Sequence, residues 1–162
     1  MVFPLLMIVS GVGDVLSMRI PNRLIIAIAA AFLPLALATG MPMWLLGMNA
    51  ATALILLAIG FALFSFGLIG GGDAKLMAAS GLWLGFPCVL MFILMSALAG
   101  GVLAAAMGLM SIVRMEAGAR SARLDNLFAA LSPDVPYGFA LASGAILTTP
   151  FSWWMIAATA QS

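Results

Sequence analysis

Asp14 and Asp73 are the residues best placed to do chemistry. Asp14 lies near the end of the first apolar segment, and Asp73 closes the run Gly70-Gly71-Gly72-Asp73. An ionisable side chain at membrane depth costs at least ~2.5 kcal/mol and usually marks a functional site. Two carboxylates brought together cannot both ionise cheaply, so they share a proton. The charged member then acts as general base toward a water, while the protonated member polarises a scissile carbonyl. That is peptide-bond hydrolysis by an aspartate pair.

Each aspartate also has a plainer reading. Ser10, Asp14 and Ser17 stand at i, i+4 and i+7, on one helix face that should turn toward the bundle interior or a water-filled cleft. Alternatively, Asp14 is a buried partner of Arg19 or Arg23, or an interfacial group in water. Asp73 has the residue type of a helix N-cap, and the glycines before it make a turn. Three consecutive glycines exceed what a cap needs, however. They let a backbone approach closely and leave hydrogen-bonding groups open to an extended peptide.

Other chemistries are excluded by composition. The chain has no histidine, so it holds no Ser-His dyad, no Ser-His-Asp triad and no HExxH zinc site. A single cysteine, Cys88, rules out an internal disulfide and any CxxC metal or redox site. A Ser-Lys pair would have to use Lys75, the single lysine. Its place among headgroups is not the dry pocket that a lysine base requires. No metal or organic cofactor is expected, and no nucleic-acid partner.

The elements that must position the aspartates are apolar helices. The 162 residues are 65% hydrophobic and 7% charged, with a mean hydropathy of +1.26. Such a chain needs the lipid bilayer as its solvent. Long apolar runs with short polar gaps predict an all-α polytopic membrane protein of about six transmembrane helices, in one domain covering residues 1–162. The expected spans are 1–18, 24–40, 46–69, 74–87, 88–113 and 136–158, with the join at Gly85-Phe86-Pro87 the least secure. The N-terminus lacks a basic region and a small-residue cleavage site, so it reads as the first span.

Charge placement orients the spans. With six spans, Arg19, Arg23, Lys75, Arg114, Arg120 and Arg123 all fall on one side, expected to be the cytoplasm. Asp14 and Asp73 then lie at one depth, at that face. In residues 114–132, Leu124, Leu127, Phe128 and Leu131 recur at helical spacing. The segment reads as an amphipathic surface helix or, equally well, as a solvated connector.

Three motifs resemble a known family. The stretch from Asp14 through Arg19 to Ile20-Pro21-Asn22 is similar to the first-aspartate motif of type IV prepilin peptidases. Gly70-Gly71-Gly72-Asp73-Ala74-Lys75-Leu76 resembles their GxGD motif, shared with presenilin-type intramembrane proteases. Pro136-Tyr137-Gly138 resembles a further signature before the last span.

The resemblance implies a membrane aspartic endopeptidase that removes the short basic leader of type IV prepilins or pseudopilins. It assigns Asp14 and Asp73 as the catalytic pair. Gly70, Gly71, Gly72, Lys75, Pro21, Asn22 and Tyr137 become substrate-binding or supporting residues, with Pro21 and Asn22 shaping a turn. It also implies a bacterial inner membrane, an active site facing the cytoplasm, and contact with pilus-assembly machinery. Larger relatives N-methylate the new terminus and carry paired CxxC motifs. This chain resembles the compact form of Flp or Tad pili, often called CpaA or TadV, for which methylation is not implied; archaeal preflagellin peptidases are also similar. Two other classes remain open: a small ion-coupled transporter using the same aspartates, and a non-enzymatic pilus-assembly subunit.

Overall fold

The computed structural model describes residues 2–17, 20–116 and 137–155. Arg19, Arg120, Arg123, Pro136 and the surface segment beyond residue 116 lie outside the described residues. All regular structure described is helical: α1 (Val2–Ser17), α2 (Asn22–Ala38), α3 (Met43–Ser65), α4 (Gly71–Leu84), α5 (Val89–Glu116) and α6 (Tyr137–Thr148). Short 3-10 turns at Phe86–Cys88 and Thr149–Phe151 interrupt the path. These helices fall on the six apolar segments expected from hydropathy.

Local chemistry explains where each helix begins and ends. Pro21 and Pro42 occupy the N-caps of α2 and α3, where a missing N–H costs nothing. Both helices therefore start before the expected boundaries at 24 and 46. α2 ends in a Schellman turn, with Gly40 at φ 71° and the Met41 N–H donating to the Ala36 carbonyl. α3 ends the same way at Gly67, with Leu68 N–H bonded to the Leu63 carbonyl, so it stops at Ser65 rather than reaching 69. Between α4 and α5 the chain breaks at Gly85, whose φ of 73° no helix accommodates. The expected last helix does not run through to 158. Pro150 cannot continue the hydrogen-bond ladder, and the chain passes into the 3-10 turn and an extended Ser152.

α3 and the stretch Phe86–Met110 are long and apolar enough to cross a membrane, with mean hydropathies of 2.0 and 2.4. α1 and α2 are shorter apolar helices. At 14 residues, α4 is about 21 Å long, less than the ~30 Å hydrocarbon thickness. Large apolar side chains such as Leu5, Leu16, Ile26, Leu54, Phe61, Leu90 and Val102 face outward. A soluble domain would not leave so continuous an apolar surface open.

α4 is the inner helix. Nearly all its side chains are buried, and α2, α3 and α6 pack on it. Its small residues permit that closeness: a methyl placed on Gly60 of α3 would lie 3.0 Å from Ala74. α1 packs chiefly on α6, where Gly11 meets Ala142, and α6 packs on α5. One end of the bundle is held by aromatic side chains. Phe3 stacks on Trp83 with centroids 5.1 Å apart, and Trp83 meets Trp154 at 4.9 Å. Trp83 and Trp154 indole N–H groups donate to the carbonyls of Ile28 and Trp83. The other end holds Asp14, Asn22, Phe64, Gly72, Asp73 and Gly138.

Candidate active site

Asp14 sits in the last turn of α1 and is 5% exposed. Its Oδ2 accepts a hydrogen bond from the Phe139 N–H at 3.2 Å, and the Gly138 N–H also faces it. These donors belong to the first turn of α6, where N–H groups have no intrahelical partner. The positive end of the helix dipole favours a carboxylate there. Asp14 thus caps a helix far along the chain, rather than pairing with Arg23. Gly138 makes the approach possible, since a methyl there would lie 2.7 Å from Asp14 Cγ and Oδ2.

Of the hydroxyls expected on the Asp14 face, Ser10 shares its burial and Ser17 does not. Ser10 is buried but donates to the Leu6 carbonyl of its own helix. Ser17 is exposed and donates to the Gly13 carbonyl. Such back-bonding is a serine's ordinary recourse inside a helix.

Asp73 is not an N-cap. Gly70 takes that position, with φ −72° and ψ 151°, and Asp73 is the third helical residue of α4. Its Oδ2 accepts the Gly70 N–H at 3.1 Å, the acidic half of a capping box. The reciprocal half is missing because glycine has no side chain. A methyl on Gly70 would come within 2.8 Å of that oxygen. The three glycines therefore do different things. Gly70 ends the loop, whereas Gly71 and Gly72 form the first turn of α4, and none has a positive φ. Gly71 faces the ring of Phe64, and Gly72 faces Ile20.

Ile20 is wedged between the first turns of α4 and α6. A methyl on Gly72 would lie 3.4 Å from Ile20 Cβ, and one on Gly138 would lie 2.7 Å from Ile20 Cδ1. The turn after Asp14 therefore touches the first turns of both α4 and α6. Through Ile20, Gly72 and Gly138, the residues flanking Asp73 and those meeting Asp14 come together at one end of the bundle. Both aspartates are buried and both sit within a turn of their helix ends.

The supporting residues take separate places. Lys75 Nζ donates to Asn22 Oδ1 at 3.0 Å, on the exposed rim of the site. Pro21 caps α2 and is exposed. Tyr137 opens α6 and lines an apolar groove of about 440 Å³ with Ile69, Met77, Ala97, Gly101 and Ala104. That groove flanks the carboxylates, since Ile69 precedes Gly70 and Met77 lies one turn beyond Asp73. Among the described residues, no three His, Cys, Asp or Glu side chains gather as metal ligands would. Sequence reasoning missed Ile20 and Phe139 as site residues, and used Gly138 only as part of a motif. Phe139 acts through its backbone N–H, so its side chain carried no signal.

The two aspartate motifs and their meeting point are now fixed in space, and one comparison bears on them. The model of the type IV leader peptidase family matches residues 1–105, a stretch that includes both aspartates. The chain belongs to the type IV leader peptidase family. A leader peptidase is a membrane protease, and its substrates are prepilins; the apolar α3 and α5 agree with membrane residence. The match ends before Tyr137, so the α6 contribution to the site stands on the geometry alone. Comparison with curated proteins and with solved structures gives no match.

Proposed function

We propose that Asp14 and Asp73 are the catalytic dyad with which this leader peptidase cuts the short basic leader from Flp-type prepilins. The observation that carries the reading is their convergence. Two carboxylates from helices remote in sequence are buried at one end of the bundle, where Ile20 lies against both Gly72, next to Asp73, and Gly138, which meets Asp14. Nothing local in either helix demands that meeting.

The chemistry follows from one shared proton. The ionised aspartate removes a proton from a water, and the water oxygen attacks the scissile carbonyl carbon. The protonated aspartate gives its proton to the carbonyl oxygen. The tetrahedral intermediate then collapses: one of its hydroxyl protons returns to the aspartate that protonated the carbonyl oxygen, the C–N bond breaks, and the departing amine receives the proton taken from water, leaving the pair with one proton again. The groove beside the pair suits an apolar stretch of substrate next to the cut.

The same reading has six spans in a bacterial inner membrane, with the dyad at the cytoplasmic face. Arg23 and Lys75 lie at the carboxylate end, as basic residues do at that face. The compact Flp or Tad form fits a chain with one cysteine. A transporter reading suits the site poorly, since transport sites lie near the midplane and these carboxylates sit within a turn of helix ends.

The test is prepilin cleavage in membranes carrying wild type, Asp14→Asn or Asp73→Asn at matched expression. Asparagine keeps the size and removes the titratable proton. Both variants should leave the precursor uncut. Normal cleavage by either one would reduce that residue to a structural cap.

A further inference from the structure

We infer that the Lys75–Asn22 hydrogen bond is a positioning contact that clamps the turn after Asp14 onto the first turn of α4 and so sets the spacing of the two carboxylates. The inference rests on the dyad reading and adds to it two residues that touch neither carboxylate.

The need for a clamp comes from how the helices pack. α1 carries Asp14 but packs chiefly on α6, while α4 carries Asp73 and packs on α3, α6 and α2. The direct contacts between α1 and α4 include Phe3 stacked on Trp83 and Ser80 Oγ against Met7 Sδ at 3.9 Å, both well away from the carboxylates. Near the carboxylates, two contacts tie the α1–α2 turn to α4. Ile20 lies against Gly72, and Lys75 Nζ bonds Asn22 Oδ1 at 3.0 Å. They bracket Asp73 in sequence, one residue before it and two after. The apolar contact resists compression only. The hydrogen bond resists separation, and its ionised donor makes it stronger than a neutral bond.

Lys75 stands two residues beyond Asp73, so its side chain leaves α4 on a different face. It is exposed on the rim, whereas Asp73 is buried. Asn22 is the first residue of α2, directly after Pro21, whose ring limits the backbone of the turn. The bond is anchored beside the ring-restrained Pro21, so it holds Ile20 and the start of α2 against α4 at the Asp14 end of the bundle. This accounts for an Ile-Pro-Asn sequence a short distance after the first aspartate and a lysine two after the second. Ile20 spaces, Pro21 stiffens and Asn22 bonds.

The experiment compares purified wild type, Lys75→Met, Asn22→Ala, their double variant and Lys75→Arg in lipid, on a prepilin substrate. Each single variant should lower kcat about tenfold with KM within about twofold. That is less than the roughly 100-fold that a ~1 Å misplacement costs. The double variant should be no worse than either single one, because both remove the same bond. Lys75→Arg keeps a cationic donor and should restore most of the rate. The clamped pair should also have the broader pH–rate window, since carboxylates held less closely share their proton less strongly. A rise in KM alone would make Lys75 a substrate contact and overturn the inference. So would additive losses, unchanged rates, or lower active fraction with an unchanged pH profile. Asp14→Asn in the same assay separates failures: cleavage by that variant overturns the dyad, whereas its inactivity beside fully active Lys75→Met overturns the clamp alone.

Discussion

Replacing Gly138 with alanine tests the site at its tightest point. The residue is helical without a positive φ, so its backbone accepts alanine. The added methyl, however, would lie 2.7 Å from Asp14 Cγ, Asp14 Oδ2 and Ile20 Cδ1. Carbon atoms prefer about 3.5–4.0 Å, so something must move by on the order of 1 Å. Ile20 can swing its terminal methyl aside, but Asp14 is bonded to the Phe139 N–H of the same helical turn. The carboxylate and α6 must therefore separate. Overpacking of this kind costs about 1–3 kcal/mol. A catalytic group displaced by ~1 Å loses on the order of 100-fold in rate. Gly138→Ala should thus lower kcat by roughly that factor, with KM little changed and a modest fall in thermal midpoint. Gly71→Ala is the matched control. Its methyl meets the Phe64 ring at an ordinary 3.5 Å, in a first-turn position with negative φ. That change should keep activity and add about 0.4–1 kcal/mol of stability by narrowing the unfolded ensemble. The assay is steady-state prepilin cleavage beside thermal unfolding in the same lipid. Wild-type kcat in Gly138→Ala would refute the placement of Asp14 against the start of α6.

The remaining predictions separate substrate contact from architecture. A methyl on Gly101 meets nothing within 4 Å, so Gly101→Ala should narrow the groove without internal strain, raise KM and leave the thermal midpoint unchanged. An unaltered KM would remove the groove from the substrate path. Gly85→Ala forces a residue with a side chain to φ 73° and drives its methyl into the Asn49 amide oxygen. It should cost about 1–3 kcal/mol for this positive-φ, extended-ψ backbone alone, seen as a lower thermal midpoint, while activity per folded molecule stays normal. Trp154→Phe deletes the donor to the Trp83 carbonyl and should destabilise by about 1 kcal/mol, again without a specific effect on kcat.

The outline of the protein was legible in its sequence because the forces that make it are local. Hydropathy runs marked all six helical segments. The absence of histidine and the lone cysteine left little beyond carboxylate chemistry. Boundaries were read less well where single residues decide them. Pro21 and Pro42 moved two starts earlier, Gly67 ended α3 sooner, and Pro150 stopped the last helix before its expected end. Each is a local signal that an average over an apolar window blurs.

The identity of the two aspartates belongs to the sequence, and their partners belong to the fold. That an aspartate after an apolar run is costly, and therefore worth explaining, follows from desolvation alone. That Asp14 rests on the N–H of Phe139, that Ile20 lies against Gly72, and that Lys75 reaches Asn22 follows only from packing. Backbone donors have no residue type to announce them, and an exposed lysine looks the same in sequence whether or not it is bonded. Gly70-Gly71-Gly72 shows the division within one motif. Its composition pointed to close approach, but only the tertiary structure set Gly70 against Asp73, Gly71 against Phe64 and Gly72 against Ile20. Composition limits what a position can tolerate, and the fold decides which neighbour tests that limit.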